Sequence, residues 1–348
     1  MDRNTKTNSK VSTLRALLIM LLMLAFILCS CSGGSGAGSK KAPETKSDVQ
    51  NQLDGICDYL ETVHEGTYRA GESSSDWTVI IYSRAGRDFD FDGYLKDMEQ
   101  FVTEKYSTDE KLDGYKATEW AHVCLAIKAC GGDPQSFGKD KKGKPINLVA
   151  DGTYDWSQTD DLADQGSNAL IYALITLDDG GYEVPEDSKY TREKILSELI
   201  QYQDPDGAFA LGKGETGSAD ITAMAIQALA PYYEKDPKVQ ECVDRGLEYL
   251  SGEQQDSGLY LTGEGYSSET ISQVIMALCA LGKDPSADEQ FTKGGNTLVD
   301  GLMQFKMDDG SFSHEIPDDP SQTGDNLMSS QQAGQAFCAM LKVEKGEK

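Results

Sequence analysis

Asp204-Pro205-Asp206-Gly207-Ala208-Phe209, followed by Asp220-Ile221-Thr222-Ala223-Met224-Ala225, is the stretch on which the fold turns. The first segment reads as a tight turn, because Pro and Gly punctuate the chain and Gly accepts backbone angles other residues avoid. The second opens a helix: Ile221, Met224, Ala225, Ala228, Leu229 and Tyr232 fall at i, i+3, i+4, i+7, i+8 and i+11, one apolar face. Asp236-Pro237 then interrupts the chain, and Val239, Cys242, Val243, Gly246, Leu247 and Leu250 repeat the spacing. Turn, helix, break, helix is therefore the unit.

Working outward, the same unit recurs. Glycine followed closely by an aromatic appears at Gly66-Thr67-Tyr68, Gly114-Tyr115, Gly152-Thr153-Tyr154, Gly207-Ala208-Phe209, Gly258-Leu259-Tyr260 and Gly310-Ser311-Phe312. The steps between glycines are 48, 38, 55, 51 and 52 residues, the length of a helical hairpin with its loops. A helix is expected to follow each turn, with Ser75, Thr118, Ser167, Asp220, Ser268 and Ser329 as its capping residues. Such hairpins bury their faces only by stacking. Neither terminal unit carries a polar cap, so closure into a ring is expected: an all-α, closed α6/α6 toroid of six hairpins over residues 49–345, with an inner and an outer ring. Alternating strand patterns are absent.

The first 30 residues carry a separate message. Arg3, Lys6, Lys10 and Arg15 precede an apolar run from Ala16 to Leu28, too short for a membrane span but suited to a secretory leader. Leu28-Cys29-Ser30-Cys31-Ser32-Gly33-Gly34 resembles a bacterial lipobox, which implies cleavage before Cys31 and lipidation of its sulfur. Cys29 is a rival site, and an ordinary signal peptide is the alternative. Residues 31–48 are a Gly/Ser/Lys tether. The implied location is the extracellular face of the cytoplasmic membrane, of the Gram-positive type, with the membrane as partner through the lipid.

The formal net charge is −26, and removing the leader's four basic residues and Asp2 takes it to −29. So acidic a chain excludes nucleic acid and anionic lipid surfaces as partners. Cys57, Cys124, Cys130, Cys242, Cys279 and Cys338 lie in apolar helical patterns without CxxC spacing and read as buried thiols.

Ile200-Gln201-Tyr202-Gln203-Asp204-Pro205-Asp206-Gly207-Ala208-Phe209 resembles the repeat of squalene and terpenoid cyclases and of protein prenyltransferase β subunits. Asp220 to Ala225 resembles the matching inner helix, which also recurs in the helical domain of vitamin B12 carriers such as intrinsic factor and transcobalamin. Thr118-Glu119-Trp120-Ala121 and Gly131-Gly132-Asp133-Pro134 look like a group of bacterial surface proteins with this fold. The resemblance implies an α/α toroid. It does not imply one activity, because the toroid hosts unrelated chemistries.

Those chemistries can be tested against the residues. A prenyltransferase zinc site needs Asp, Cys and His. Ser218-Ala219-Asp220-Ile221-Thr222 supplies one carboxylate, and Met328-Ser329-Ser330-Gln331 no histidine. The cyclase acid motif D-x-D-D-T-A is reduced to Asp220, Thr222 and Ala223, so Asp220 is the one catalytic candidate, with a helix N-cap as its simpler role. Asp160-Asp161-Leu162-Ala163-Asp164 matches a magnesium motif but lies in a turn-rich stretch. Asp88, Asp90, Asp92 and Glu99 fit a calcium loop, yet Tyr94, Leu95, Met98, Phe101 and Val102 keep helical spacing through it. No metal or other cofactor is assigned. Of the histidines, His122 reads as a satisfied core residue.

In a closed ring the inner helices run parallel and their starts meet at one mouth. Asp76, Glu119, Asp220 and Glu269 sit at those starts and outweigh the helix dipoles, so the mouth should prefer neutral polar or cationic ligands. Trp77, Trp120, Tyr154, Trp156, Phe209 and Tyr260 are candidate stacking surfaces there, together with Asp220 and Glu269; the alternative is that the aromatics wedge the hairpins together. The function expected first is a monomeric surface receptor or carrier for a small molecule, corrinoid or glycan. A cyclase- or lyase-like enzyme and a scaffold for another surface protein are the alternatives.

Overall fold

The computed structural model describes residues 47–109, 111–263, 265–322 and 324–347. The leader, Cys31 and nearly all of the tether lie outside them. Ser47 already caps the first helix, accepting from Gln50 N at 3.2 Å, so the domain begins slightly ahead of the expected boundary. Among the described residues there are twelve α-helices: α1 (Asp48–His64), α2 (Ser73–Ala85), α3 (Phe91–Lys105), α4 (Thr118–Ala129), α5 (Leu148–Gly152), α6 (Ser167–Asp179), α7 (Arg192–Leu199), α8 (Ala219–Leu229), α9 (Pro237–Glu253), α10 (Ser268–Ala280), α11 (Leu298–Leu302) and α12 (Leu327–Glu344).

The even-numbered helices form a ring. Each packs on the next from α2 to α12, and α12 returns to α2. The odd-numbered helices lie outside, α5 on α4, α7 on α6, α9 on α8, α11 on α10 and α1 on both α12 and α2. The last inner helix thus finds its outer partner in α1, the first helix of the described residues. Gln331 of α12 donates to Thr78 Oγ1 of α2 at 2.8 Å, and Asn326 N donates to Tyr59 Oη of α1 at 3.3 Å. The toroid is closed, as the repeats predict. A two-stranded ribbon, Leu261–Thr262 with Gly265–Tyr266, is the one small sheet among the described residues.

Sequence pattern separates the two rings. Outer α9 is amphipathic and buries Val239, Cys242, Val243, Gly246, Leu247 and Leu250, the predicted face. Inner α8 buries Ala223, Ala225, Ile226, Ala228 and Leu229, which is more than one stripe, because it is covered by ring neighbours and by an outer helix. Fully burying one large apolar side chain contributes about 1.5–3 kcal/mol.

The glycine-aromatic turns join the units. Residues six apart pair across them: Gln203 with Phe209, Gln254 with Tyr260, Lys306 with Phe312. Each turn then meets the next outer helix edge-on. A Cβ on Gly258 would lie 2.5 Å from Thr297 O, and one on Gly310 2.7 Å from Gly55 O, with φ of +82° and +90°. Only glycine serves at these two positions. Phe209, Tyr260 and Phe312 point inward and are at most 1 % exposed.

The six expected helix caps are corrected. Ser218 and Ser267 are the side-chain caps of α8 and α10, accepting from Ile221 N and Thr270 N at 3.3 Å. Thr118, Ser167 and Ser268 are instead the first residues of their helices, Asp220 the second of α8, and Ser75 and Ser329 the third of α2 and α12. Neighbouring loops take over the capping: Ser167 N donates to Leu211 O at 2.8 Å and Ser268 N to His314 O at 3.2 Å, satisfying first-turn amides.

Candidate functional site

The inner helices start at one end of the ring, and there the acidic residues gather. A cleft of about 270 Å³ opens between α8, α10 and α12, bordered by Asp220, Met224, Ser267, Glu269, His314 and Met328. Glu269 is nearly buried and accepts from Ser267 Oγ at 2.8 Å, Ser268 Oγ at 3.3 Å, His314 Nδ1 at 2.8 Å and the Ser329 hydroxyl. Burial pushes its carboxyl up, and these donors reverse that and hold it below the usual range. Asp220 is pushed the other way, first by burial and further by the charge of Glu269.

Beside it, at the starts of α2 and α4, stands a second group. His122 places Nδ1 2.7 Å from Asp76 Oδ2 and Nε2 3.1 Å from Glu119 Oε2. Burial opposes its charge, but the two carboxylates prevail and lift the imidazole to about 9. His122 is therefore a core residue, as expected, but a charged one. Asp76, fully buried, also accepts from Tyr94 Oη at 2.5 Å and Gly71 N at 3.1 Å. Glu119, held low by His122, keeps about a third of its side chain exposed.

At the start of α6 the carbonyl oxygens Gln165 Oε1 and Asn168 Oδ1 are buried and have no partner. Unsatisfied buried acceptors are uncommon and call for a donor. The mouth itself presents carboxylates from α4, α8 and α10.

Below the cleft the ring narrows. Trp77, Leu125, Tyr172, Met224, Met276 and Gln335, one from each inner helix, border a waist of about 90 Å³, and Gln227, Gln273 and Gln332 form an amide ladder beside it, each donating to the next at 2.9 Å. At the far end a vestibule of about 310 Å³ lies among the helix C-termini. A larger hollow, about 410 Å³, lies on the flank between α1 and α3. Its arginine, Arg87, is already paired with Asp58 at 2.6 Å and Glu61 at 2.7 Å, and no inner-helix start contributes to it. The mouth is the better candidate.

Several expected site residues fall elsewhere. Trp120, Tyr154, Trp156, Phe209 and Tyr260 are 0–4 % exposed and wedge the hairpins instead of lining the mouth. Trp120 and Trp156 pack edge to face at 5.3 Å, and Trp120 Nε1 donates to Tyr106 Oη. Trp77 faces the waist. Asp220 and Glu269 are at the mouth, as expected. Asp90 caps α3 through Gly93 N at 2.9 Å, so Asp92 and Glu99 lie on a helix, roughly 10 Å apart at 1.5 Å per residue. Asp88, Asp90, Asp92 and Glu99 accordingly do not form a calcium loop. Asp161 and Asp164 make a reciprocal cap on a short 3₁₀ turn. Thr222 of the cyclase-like segment accepts from Phe209 N at 2.8 Å, as Ser330 does from Phe312 N at 3.0 Å, a structural role. His314 and Ser267 are mouth residues that sequence reasoning missed.

No sequence-family model matches the chain, and no curated protein does. Solved structures match by fold. Protein geranylgeranyltransferase-I of Candida albicans superposes with a TM-score of 0.54 at 11 % identity, over 87 % of this chain and 93 % of that one. The unsaturated glucuronyl hydrolase of Bacillus sp. GL1 gives 0.52 at 11 % identity, over 86 % and 96 %. A type II terpene cyclase of Scytonema, MstE, gives 0.51 at 10 % identity, over 85 % and 99 %. At such identities the likeness is one of architecture: the chain has the α/α toroid fold that these enzymes share.

Proposed function

We propose that the protein is a surface receptor that holds a cationic or hydroxyl-rich ligand at the mouth of its toroid. The observation that carries this is the gathering of carboxylates there: Glu119, Asp220 and Glu269, at the starts of α4, α8 and α10. Such a surface asks for donors and positive charge. The waist, at about 90 Å³, falls well short of the roughly 300–1,000 Å³ of pockets that enclose a drug-sized ligand, which supports binding at the rim over capture of a long chain within the ring. Titrating amines, cell-wall glycans and corrinoids while following thermal unfolding tests the proposal. A true ligand at 100 times its Kd raises stability by about 2.7 kcal/mol, and Asp220→Asn diminishes the effect. A flat response to all three classes defeats it.

The leader and Cys31 support placement on the outer face of the membrane by a lipid anchor. Cys31→Ala is expected to release the protein to the medium; unchanged retention in the membrane fraction speaks against the anchor.

One observation favours an enzyme instead. Glu269 fixes His314 through Nδ1, half of the imidazole is exposed, and Asp220, with its raised pKa, borders the same cleft. A base oriented by a carboxylate opposite an acid is the arrangement of acid–base catalysis. Turnover of a bound glycan that His314→Ala abolishes without loss of binding selects this second function.

A further inference from the structure

Among the described residues seven large apolar side chains stay exposed, and all of them lie on the mouth face. Tyr115, Leu211, Leu261, Tyr266 and Ile316 are in loops that lead from an outer helix into the next inner one. Met328 is in the first turn of α12 and Val63 in the last turn of α1, the same end of the ring. The loops of the opposite face contribute none. An even scatter of exposed apolar residues needs no explanation; a one-sided gathering marks an interaction surface.

Five of the seven flank the cleft, since Leu211 leads into α8, Leu261 and Tyr266 into α10, and Ile316 and Met328 belong to the approach and start of α12. Leu261 and Tyr266 face each other across the small ribbon, which lifts them together. Of these five only Met328 borders the cleft itself. A ligand that merely filled the cleft would leave Leu211, Leu261, Tyr266 and Ile316 in water. Whatever covers them extends beyond the mouth.

Charge selects the occupant. Asp220 and Glu269 border the cleft, no lysine or arginine does, and Glu315, Asp318 and Asp319 surround Ile316. An anionic bilayer or a nucleic acid is repelled by such a surface. We infer that the mouth docks a polypeptide segment, one lysine or arginine side chain entering the cleft between Asp220 and Glu269 while apolar neighbours pack on the collar. This inference rests on the receptor proposal and names its partner: a protein with a basic side chain in an apolar surround. A basic anchor in an acidic pocket with an apolar rim follows the general anatomy of protein interfaces.

Calorimetry on the full-length protein decides it, with three probes: Nα-acetyl-lysine amide, the peptide acetyl-Leu-Ser-Leu-Lys-Leu-Ser-Leu-amide, and the same peptide with Glu in place of Lys. The lysine peptide is expected to bind at least tenfold more tightly than the amide, and the Glu peptide to show no binding. The exposed pair Leu211→Ser and Leu261→Ser should erase the peptide's advantage and leave the amide unchanged, whereas Asp220→Asn should weaken both. Equal affinity for amide and peptide, or indifference to the paired serines, overturns polypeptide docking and leaves a small-cation receptor. Equal binding of the Glu peptide overturns it too, and binding by neither lysine probe removes docking and cation receptor alike.

Discussion

His122 joins the two elements that open the ring, and its charge makes that junction pH-dependent. Ordinary histidine titrates near 6.5, whereas here the Asp76 and Glu119 carboxylates carry the imidazole to about 9 against its burial. A folded-state pKa above the unfolded one contributes stability that is complete below about pH 6.5 and is lost as pH rises through about 9. Urea midpoints should therefore fall between pH 6.5 and 9.5. In Asp76→Asn the decline should flatten, with a loss of about 3–5 kcal/mol at neutral pH, because a buried cation loses its partner. A variant that keeps the wild-type pH profile would show that His122 is neutral. The turn glycines allow a sharper test, since two of them differ in one respect. Both Gly66 and Gly310 have positive φ, at +68° and +90°, but a Cβ meets nothing within 4 Å at Gly66 and the Gly55 carbonyl at 2.7 Å in Gly310. Gly66→Ala should lose about 1–2 kcal/mol from backbone strain alone. Gly310→Ala should lose clearly more, because its methyl also pushes α1 away from the last turn. Equal losses in chemical denaturation would mean that the close approach is not enforced.

At the scale of the element, α1 and α12 explain how a linear repeat becomes a ring. Among the described residues the first helix is an outer one and the last an inner one, and these two pack as the sixth hairpin. Ser47 and Lys345 bracket that hairpin at the end of the ring remote from the mouth. Joining them by a short Gly/Ser linker and reopening the chain before Asp236, between α8 and α9, should give a circular permutant with the same ring. Its unfolding should remain a single cooperative transition within about 1–2 kcal/mol of the parent, since new termini in exposed loops are well tolerated. Broad or biphasic unfolding would show that the α1–α12 contact needs the original connectivity. Period and turn residues made this architecture readable, because Gly207, Gly258 and Gly310 must recur wherever a turn meets a helix backbone. The same pattern placed Phe209 and Tyr260 in the right turns but on the wrong side. Their direction is set by pairing with Gln203 and Gln254 across the turn, a contact six residues apart that helical periodicity does not encode. His314 was hidden for a related reason: with Leu211 it occupies the position two past the aromatic, where the carbonyl binds the preceding inner helix and the side chain reaches the rim. Asp220 and Glu269 were legible, being carboxylates at the starts of helices known to converge.

For the molecule as a whole, charge sets two responses to salt with opposite sign. The chain carries 58 acidic against 32 basic residues, an excess of 26 carboxylates with no cation to match them, and the folded ring holds this excess at close quarters. Pairs such as Arg192 with Asp178 at 3.0 Å and Lys111 with Asp151 at 2.9 Å oppose the repulsion but are too few to cancel it. Raising salt from 0.01 M to 0.5 M shortens the screening length from about 30 Å to below 8 Å. Long-range repulsion fades while short, partly buried pairs persist, so the midpoint of thermal unfolding should rise. Attraction of a basic segment to Asp220 and Glu269 is subject to the same screening, and its association rate should fall over that range. Packing on Leu211 and Leu261 carries no charge and does not weaken with salt. Measured together, a rising melting temperature and a slowing association, with dissociation nearly unchanged, separate the acidic cleft from the apolar collar within one titration. If stability falls with salt instead, the ion pairs dominate and the excess charge is already screened by the spacing of the carboxylates around the ring.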